Sequence, residues 1–272
     1  MENIQKLGLN NSAITTLDDT AAAALSPPTR LANYQQILKK AFAVSGTQEV
    51  VDKYGYDSEV AYQTVKQGQE IKRDLEFVLL SSNARVAGNS STAREMAGIS
   101  SYLTTNTVFN SGGAPAGADP SPADGTATRT DSGTQQAFTE TMLQDALQLM
   151  WGNGGNVEGS MGVFGAFNRR TASGFGSTTT QFNRMESGRL FTSVRFYESD
   201  WGAVQFTPDR FGRARDGFIF DPEFLELREL RPMFREELSK TGDSHKFHVL
   251  METTVIVRNE KAHAGIFDLT VS

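Results

Sequence analysis

The stretch "TVKQGQEIKRDLE", residues 64–76, decides how this chain folds. It lies inside an apolar periodicity that runs over residues 57–80, about 24 residues or roughly 36 Å of helix at ~1.5 Å per residue. Placed at about 100° per residue, Val60, Ala61, Val65, Gly68, Ile71, Leu75, Val78 and Leu79 share one arc, and Lys66, Glu70, Arg73 and Glu76 fall outside it. Asp57 is the expected N-cap, and Asn83 and Gly88 supply stop signals. Gly68 falls near the middle of the apolar arc. Glycine costs about 1 kcal/mol against alanine in a helix, whereas burying the larger aliphatics of the arc contributes on the order of 10 kcal/mol gross. The helix tolerates its glycine, and the missing side chain lets another backbone come close. Gly68 is therefore expected where this helix crosses a sheet or a neighbouring chain. Tyr62, Phe77 and Leu80 lie off the arc, so the other side of the helix is expected to have partners too.

A helix of that length needs a long apolar surface to lie on, and the last third of the chain provides one. In "EFLELREL" Leu225 and Leu227 alternate with Glu226 and Arg228. In "KFHVLMETTVIVRN" Phe247, Val249, Met251, Thr253, Val255 and Val257 share one parity, the mark of a long strand with one apolar face. The fold class is thus α+β, with the long helix packed on strands from the opposite end of the chain. Residues 30–52 read as extended structure, half of a hairpin with a turn at "SGT". Residues 1–29, small and polar with a Pro-Pro pair, read as an arm. Residues 110–134, rich in Gly, Ala, Pro, Ser and Thr, read as a long surface loop. A second amphipathic helix follows, capped by Thr139 or Thr134, carrying Phe138, Met142, Ala146, Leu149 and Met150 at helical spacing and ending at Gly152. Beyond it "NGGNVEGSMGVFGAFNRRTASGF" reads as a loop, a short strand and a short helix.

Composition narrows the function. The 272 residues make one large or two modest domains. The absence of cysteine excludes disulfides, thiolate metal sites and cysteine nucleophiles. A net charge of -6 argues against a protein that gathers phosphates by counterion release. No run is long and apolar enough to span a bilayer, and the first residues lack the basic-then-apolar order of a signal peptide, so folding in the cytosol is the default.

The motif search yields no catalytic constellation, no cofactor site and no metal site. His245 and His248 would share a face on a helix, but on a strand they point opposite ways. The glycines of "WGNGGNVEGSMGVFG" follow a helix instead of a strand and fit no phosphate-loop register. Neither Ser160 nor Ser173 has the flanks of a nucleophile elbow. In "DRFGRARD" Arg210, Arg213 and Arg215 are bracketed by Asp209 and Asp216, which points to salt bridges at a subunit or domain contact. The mixed signs of "LRELRPMFREEL", with Arg231, Arg235 and Glu236, suit pairing between copies better than a polyanion site.

These residues also carry a resemblance. "RLANYQQILKKAFAVSGTQEVVDKYGYDSEVAYQTVKQGQEIKRDLEFVLL" resembles the major capsid proteins of tailed double-stranded-DNA bacteriophages. So do, in the same order, "REMAGISSYLTTNT", "AFTETMLQDALQLMWGNGG", "FTPDRFGRARDGFIFDPEFLELRELRP", "ELSKTGD" and "ETTVIVRNEKAHAGIFDL", and the likeness spans residues 30–269. It implies the Hong Kong 97-type fold: an N-terminal arm at 1–29, the second strand of an E-loop at 30–52, a P-domain of 53–100 and 227–262 with its spine helix at 57–80, and an A-domain of 101–226 and 263–272. Family members carry several dozen residues ahead of the point where this sequence starts, so the arm and first E-loop strand are expected to be shortened, missing or differently built. The function implied is structural and not enzymatic: hexamers and pentamers closing an icosahedral head around the DNA. Scaffold, portal and cement or decoration proteins are the implied partners, DNA is held by proximity only, no membrane is involved, and assembly takes place in the host cytoplasm to give the virion. A same-fold shell around other cargo, encapsulin-like or a gene-transfer particle, is the alternative, and a soluble α+β binding protein a further one. Gly68, Arg210, Arg213, Arg215, Arg231, Arg235 and Glu236 are the expected inter-subunit or packing positions. Lys39, Lys40 and Lys53, near the E-loop, are the lysines that side-chain cross-links of the kind some relatives of this fold make would use, given a matching asparagine and acidic partner.

Overall fold

The computed structural model describes residues 31–175, 196–240 and 242–272. Residues 32–272 form one compact unit. Two sheets and a long helix organise it.

The first sheet has three antiparallel strands, β1 (Gln36–Ser45), β7 (Leu225–Leu238) and β8 (Ser244–Val257), in the order β1-β8-β7. Strand β1 runs in unbroken register from Gln36 opposite Thr253 to Ser45 opposite Ser244. Strand β7 slips register on either side of Arg231, between Glu229 and Phe234. Pro232 explains the position: it has no N–H to give a ladder, so it belongs on an edge strand at a bulge. The long alternating run is β8, and it is the central strand. Its odd-numbered Val249 and Met251 enter the core as expected, but His248, Leu250, Glu252 and Thr254 on the opposite face are buried as well. The reading of a single apolar face is corrected: a central strand covered on both sides need not alternate.

Residues 46–50 do not form the turn of a hairpin. They form a short helix, α1 (Gly46–Val50), because β1 finds its partner in β8 and not in the residues that follow it. The Glu49 carboxylate of α1 accepts from the Ser58 hydroxyl (2.7 Å) and the Val60 N–H (3.2 Å), which fixes the start of the next helix. That helix, α2, is the long one, Glu59–Leu80. Its cap is Ser58, whose Oγ accepts from the Ala61 N–H at 3.2 Å, not Asp57. Ile71 and Leu75 bury against Leu38, Val249 and Met251, with Val78 and Leu79 partly covered. The arc is not buried along its whole length: Ala61 is exposed and Val65 is 63% exposed. Tyr62 and Phe77, off the arc, are about half exposed and not packed on a second layer of this chain's core.

The second sheet has six strands in the order β2-β9-β6-β3-β5-β4. These are β2 (Thr107–Val108), β3 (Ser160–Gly165), β4 (Phe196–Ser199), β5 (Gly202–Asp209), β6 (Gly217–Phe220) and β9 (Ala264–Ile266). Only β2–β9 and β3–β5 are parallel pairs. One face carries helix α3 (Glu140–Gly152), capped by Thr139, one of the two caps the sequence offers, and the short α4 (Ala166–Ala172). Leu143, Ala146, Leu147 and Met150 of α3 meet Phe164, Val204, Phe206, Ile219 and Ile266 there. On α3 the buried stripe is rotated from the expected one, so that Leu149 is 38% exposed. The other face, through Val163, Phe218, Phe220 and Phe267, packs on Leu80 of α2, on Ile99 and Leu103, and on Val255 of β8. The long helix and β8 therefore reach from one sheet to the other and join the two layers in one body.

Candidate functional site

The residues singled out from sequence fall in three places. Gly68 is the first. A Cβ built there would meet the Met233 Sδ of β7 at 3.4 Å and nothing closer. Gly68 thus faces a flexible side chain in the β7 bulge, and no backbone of the described residues comes close to it. Backbone approach occurs instead at Gly98, where a Cβ would lie 1.9 Å from the carbonyl oxygen of Ser81, the residue that ends α2. Gly98 also donates to the Asn83 carbonyl at 3.0 Å, so the chain returning past the end of α2 is pinned against it.

Strand β7 is the second place. Its alternation sends sequence neighbours to opposite faces. Arg235 turns to the helix side, where its guanidinium lies 4.9 Å from the Phe247 ring centroid and donates to the Thr64 hydroxyl at 3.3 Å. Glu236 turns the other way and sits 3.3 Å from His248 Nε2. Arg231, on the same side, donates from Nε to Glu252 at 2.8 Å, and Arg94 reaches the other oxygen of that buried carboxylate at 2.7 Å. The charges of β7 are thus partly used within the chain. Of its apolar residues, Leu225 and Met233 pack against the cores, whereas Leu227 is 41%, Leu230 60% and Phe234 36% exposed. His245 and His248 lie on opposite faces of β8, each beside a glutamate of β7. Among the described residues no cluster of three His, Asp or Glu could hold a metal ion.

The third place is the "DRFGRARD" segment. Arg213 and Arg215 are drawn inward: both contact Asp131, Arg213 also pairs with Asp216 (3.3 Å), and Arg215 donates to Asp268 (2.7 Å) and to the Ser132 carbonyl (2.9 Å). These bonds connect the loop of residues 110–134 with the segment between β5 and β6 and with Asp268. Nearby Arg129 has no exposed side-chain surface; it pairs with Asp119 at 2.5 Å and stacks between Phe109 (4.7 Å) and Phe267 (3.7 Å). Burial lowers its pKa, against the pull of Asp119. Burial also pushes the Asp216 carboxyl up to about 7, although Arg213 opposes the shift. Asp268, at φ 60°, accepts from the Ser132 N–H at 2.8 Å. The long loop is therefore rooted by buried polar groups, which no apolar periodicity announces. Arg210, by contrast, is exposed and has no described partner in the chain.

One surface was not singled out from sequence. An open groove of about 620 Å³ lies between the outer side of α3 and the β4–β5 turn, lined by Asp145, Gln148, Leu149, Trp151, Asn153 and Trp201. Its signal in the sequence was the position of both tryptophans of the chain beside turn residues.

Comparison with known proteins gives these surfaces a setting. A model of the SU10 major capsid protein family matches residues 4–270. A major capsid protein of Escherichia phage Phieco32 is 46% identical over 61 residues, a match that spans 22% of this chain and only 17% of that relative. The capsid protein of cyanophage A-1(L) superimposes with a TM-score of 0.62 at 13% identity, over 93% of this chain and 84% of the other. The SrpI encapsulin of Synechococcus elongatus PCC 7942 does so with 0.56 at 12%, over 88% and 75%. The capsid of a native GTA particle gives 0.52 at 14%, over 93% and 80%. At such identities the solved structures establish the fold, which is the Hong Kong 97 type, and the family follows from the match over nearly the whole sequence: the chain belongs to the SU10 major capsid protein family.

Proposed function

We propose that this chain is the shell-forming subunit of a phage head, assembling as hexamers and pentamers into an icosahedral container for double-stranded DNA. The observation that carries the reading is β7, a 14-residue edge strand whose ladder groups and three large apolar side chains face solvent. A monomer that left so long an edge open would invite uncontrolled pairing, whereas a shell subunit uses such edges for neighbours. A structural and not a catalytic role fits the family. In this reading residues 1–29 are the arm, outside the described residues, and residues 30–52 belong to the E-loop. Residues 53–100 with 227–262 make the P-domain, and 101–226 with 263–272 the A-domain. Gly68, Arg231, Arg235 and Glu236 serve packing or contact at the P-domain, and Arg210 is left for a neighbour. Scaffold, portal and decoration proteins complete the particle in the host cytoplasm, and DNA is contained by proximity, since a net charge of -6 disfavours gripping it. The same fold encloses other cargo in encapsulins and gene-transfer particles; the family match favours the phage head.

Electron microscopy and sedimentation of the purified chain test the proposal. Capsomers, curved sheets or closed shells are the expected result. A monomer that persists at high concentration in every buffer, with the arm present, would sink it.

A further inference from the structure

We propose that the groove between α3 and the β4–β5 turn is the socket for a second copy of this chain, entered by the basic end of the neighbour's six-stranded sheet. The inference rests on the shell reading above. Trp151 is 60% exposed, and Trp201 is only partly covered. Aromatic anchors of this kind dominate protein contacts when they are desolvated. Asp145 lines the groove and Asp200 precedes Trp201; both are exposed and without an ion-pair partner among the described residues. The socket is acidic and aromatic.

The complementary surface lies on the same chain. Strand β5 begins beside Trp201 and ends at Asp209, and eight residues of strand carry it roughly 26 Å. At that far end Arg210 follows the strand, and α4 begins where Gly165 stands opposite Asp209. Arg170 of α4 and Arg210 are exposed and have no described partner. Among the described residues, one sheet thus presents carboxylates without an ion-pair partner beside two tryptophans at one end and, past Asp209, guanidiniums without one at the other. Two different patches that complement each other make a heterologous contact, which repeats from copy to copy and closes a ring when the rotation allows. A self-complementary patch would instead stop at a dimer. Charge complementarity here also fixes the direction of approach.

The two tryptophans are the only ones in the chain, so their fluorescence reports on the socket alone. On assembly of the wild-type chain, emission is expected to shift to the blue and acrylamide quenching to fall. Trp151→Ala with Trp201→Ala is expected to raise the concentration needed for assembly by at least about tenfold. Asp145→Arg with Asp200→Arg is expected to abolish shells, as is Arg170→Glu with Arg210→Glu, and the fourfold variant carrying both changes should recover them. All six positions are exposed or half-exposed, and circular dichroism checks that each variant folds. Shells whose tryptophans remain fully quenchable would place the groove on a free surface and overturn this inference alone. So would a fourfold variant that assembles no better than either charge-reversed pair. A wild-type chain that never assembles would overturn the shell reading and this inference together.

Discussion

The two sheets bury themselves in opposite ways. In the six-stranded sheet every residue of β6 is buried, and helices, loops and the end of α2 cover both faces. In the three-stranded sheet only the central strand is buried over most of its length, from Phe247 to Val255, while β7 is exposed along most of its length. The core of the first layer is closed within one chain; the second leaves β7 open. Stability of the subunit should therefore depend most on the six-stranded layer and its joint with α2, and less on the strand that the three-stranded layer leaves open.

The sharpest test of that division is at the joint. Gly98→Ala places a methyl group 1.9 Å from the Ser81 carbonyl oxygen, and backbone on both sides must move. A loss of roughly 4 kcal/mol or more, or failure to fold, is expected from urea denaturation. An unchanged midpoint would show that the joint is not rigid.

Next comes the charge network of the six-stranded layer. Burial raises the Asp216 carboxyl to about 7 from an ordinary 3.8. The neutral form is the one the fold favours, so this group's contribution is fully present below about pH 4 and is lost as pH rises through about 7. The wild type should lose roughly 3 to 4 kcal/mol across that window relative to Asp216→Asn, which cannot ionise. His263, held neutral by burial, acts in the opposite sense, its contribution being lost as pH falls below its ordinary value of 6.5. The difference between wild type and Asp216→Asn cancels the histidine. A pH-independent difference would mean that Asp216 is ionised throughout.

Glu252 offers the matching experiment in the three-stranded layer. It is 4% exposed, but Arg94 and Arg231, which hold it, have side chains 45% exposed. Once released they return to water, so Glu252→Gln should cost about 1 to 2 kcal/mol, well below the 3 to 5 kcal/mol typical of breaking a fully buried pair. A larger loss would show that this face is more closed in the free subunit than its exposure indicates.

The same contrast governs what the sequence made legible. Long, regular elements wrote themselves into apolar periods: α2 is read to within two residues of its start, and β7 and β8 are recognisable as strands. Thr139 and Gly152 mark the ends of α3 because caps are local chemistry. The six-stranded sheet was largely invisible, since β2, β6 and β9 are two to four residues long and too short to show a period. The groove beside α3 was equally hidden. Trp151 and Asp145 look like any exposed turn of a helix until β4 and β5 bring Trp201 beside them. Arg213 and Arg215 were recognised as salt-bridging residues, but their partners Asp131 and Asp268 lie more than 50 residues away, and only the fold decides that they close on the same chain.

Gly68 yields the smallest effect and the one most specific to the crossing of helix and sheet. Its φ is not in the left-handed region, so a side chain meets no backbone strain there, and the nearest neighbour of a new Cβ is Met233 Sδ at 3.4 Å. Met233 sits in the β7 bulge at the end of a flexible side chain and can give by a few tenths of an ångström. Gly68→Ala should accordingly stabilise the subunit by about 0.5 to 1 kcal/mol through helix propensity alone. Gly68→Leu must displace Met233 and push on the bulge, which costs about 1 to 3 kcal/mol and moves the exposed edge that neighbours would use. Urea midpoints of the two variants should therefore move in opposite directions, and only leucine should impair assembly. If alanine destabilised the subunit as leucine does, a contact closer than Met233 would have to exist at this crossing, and the glycine would again be a site of backbone approach.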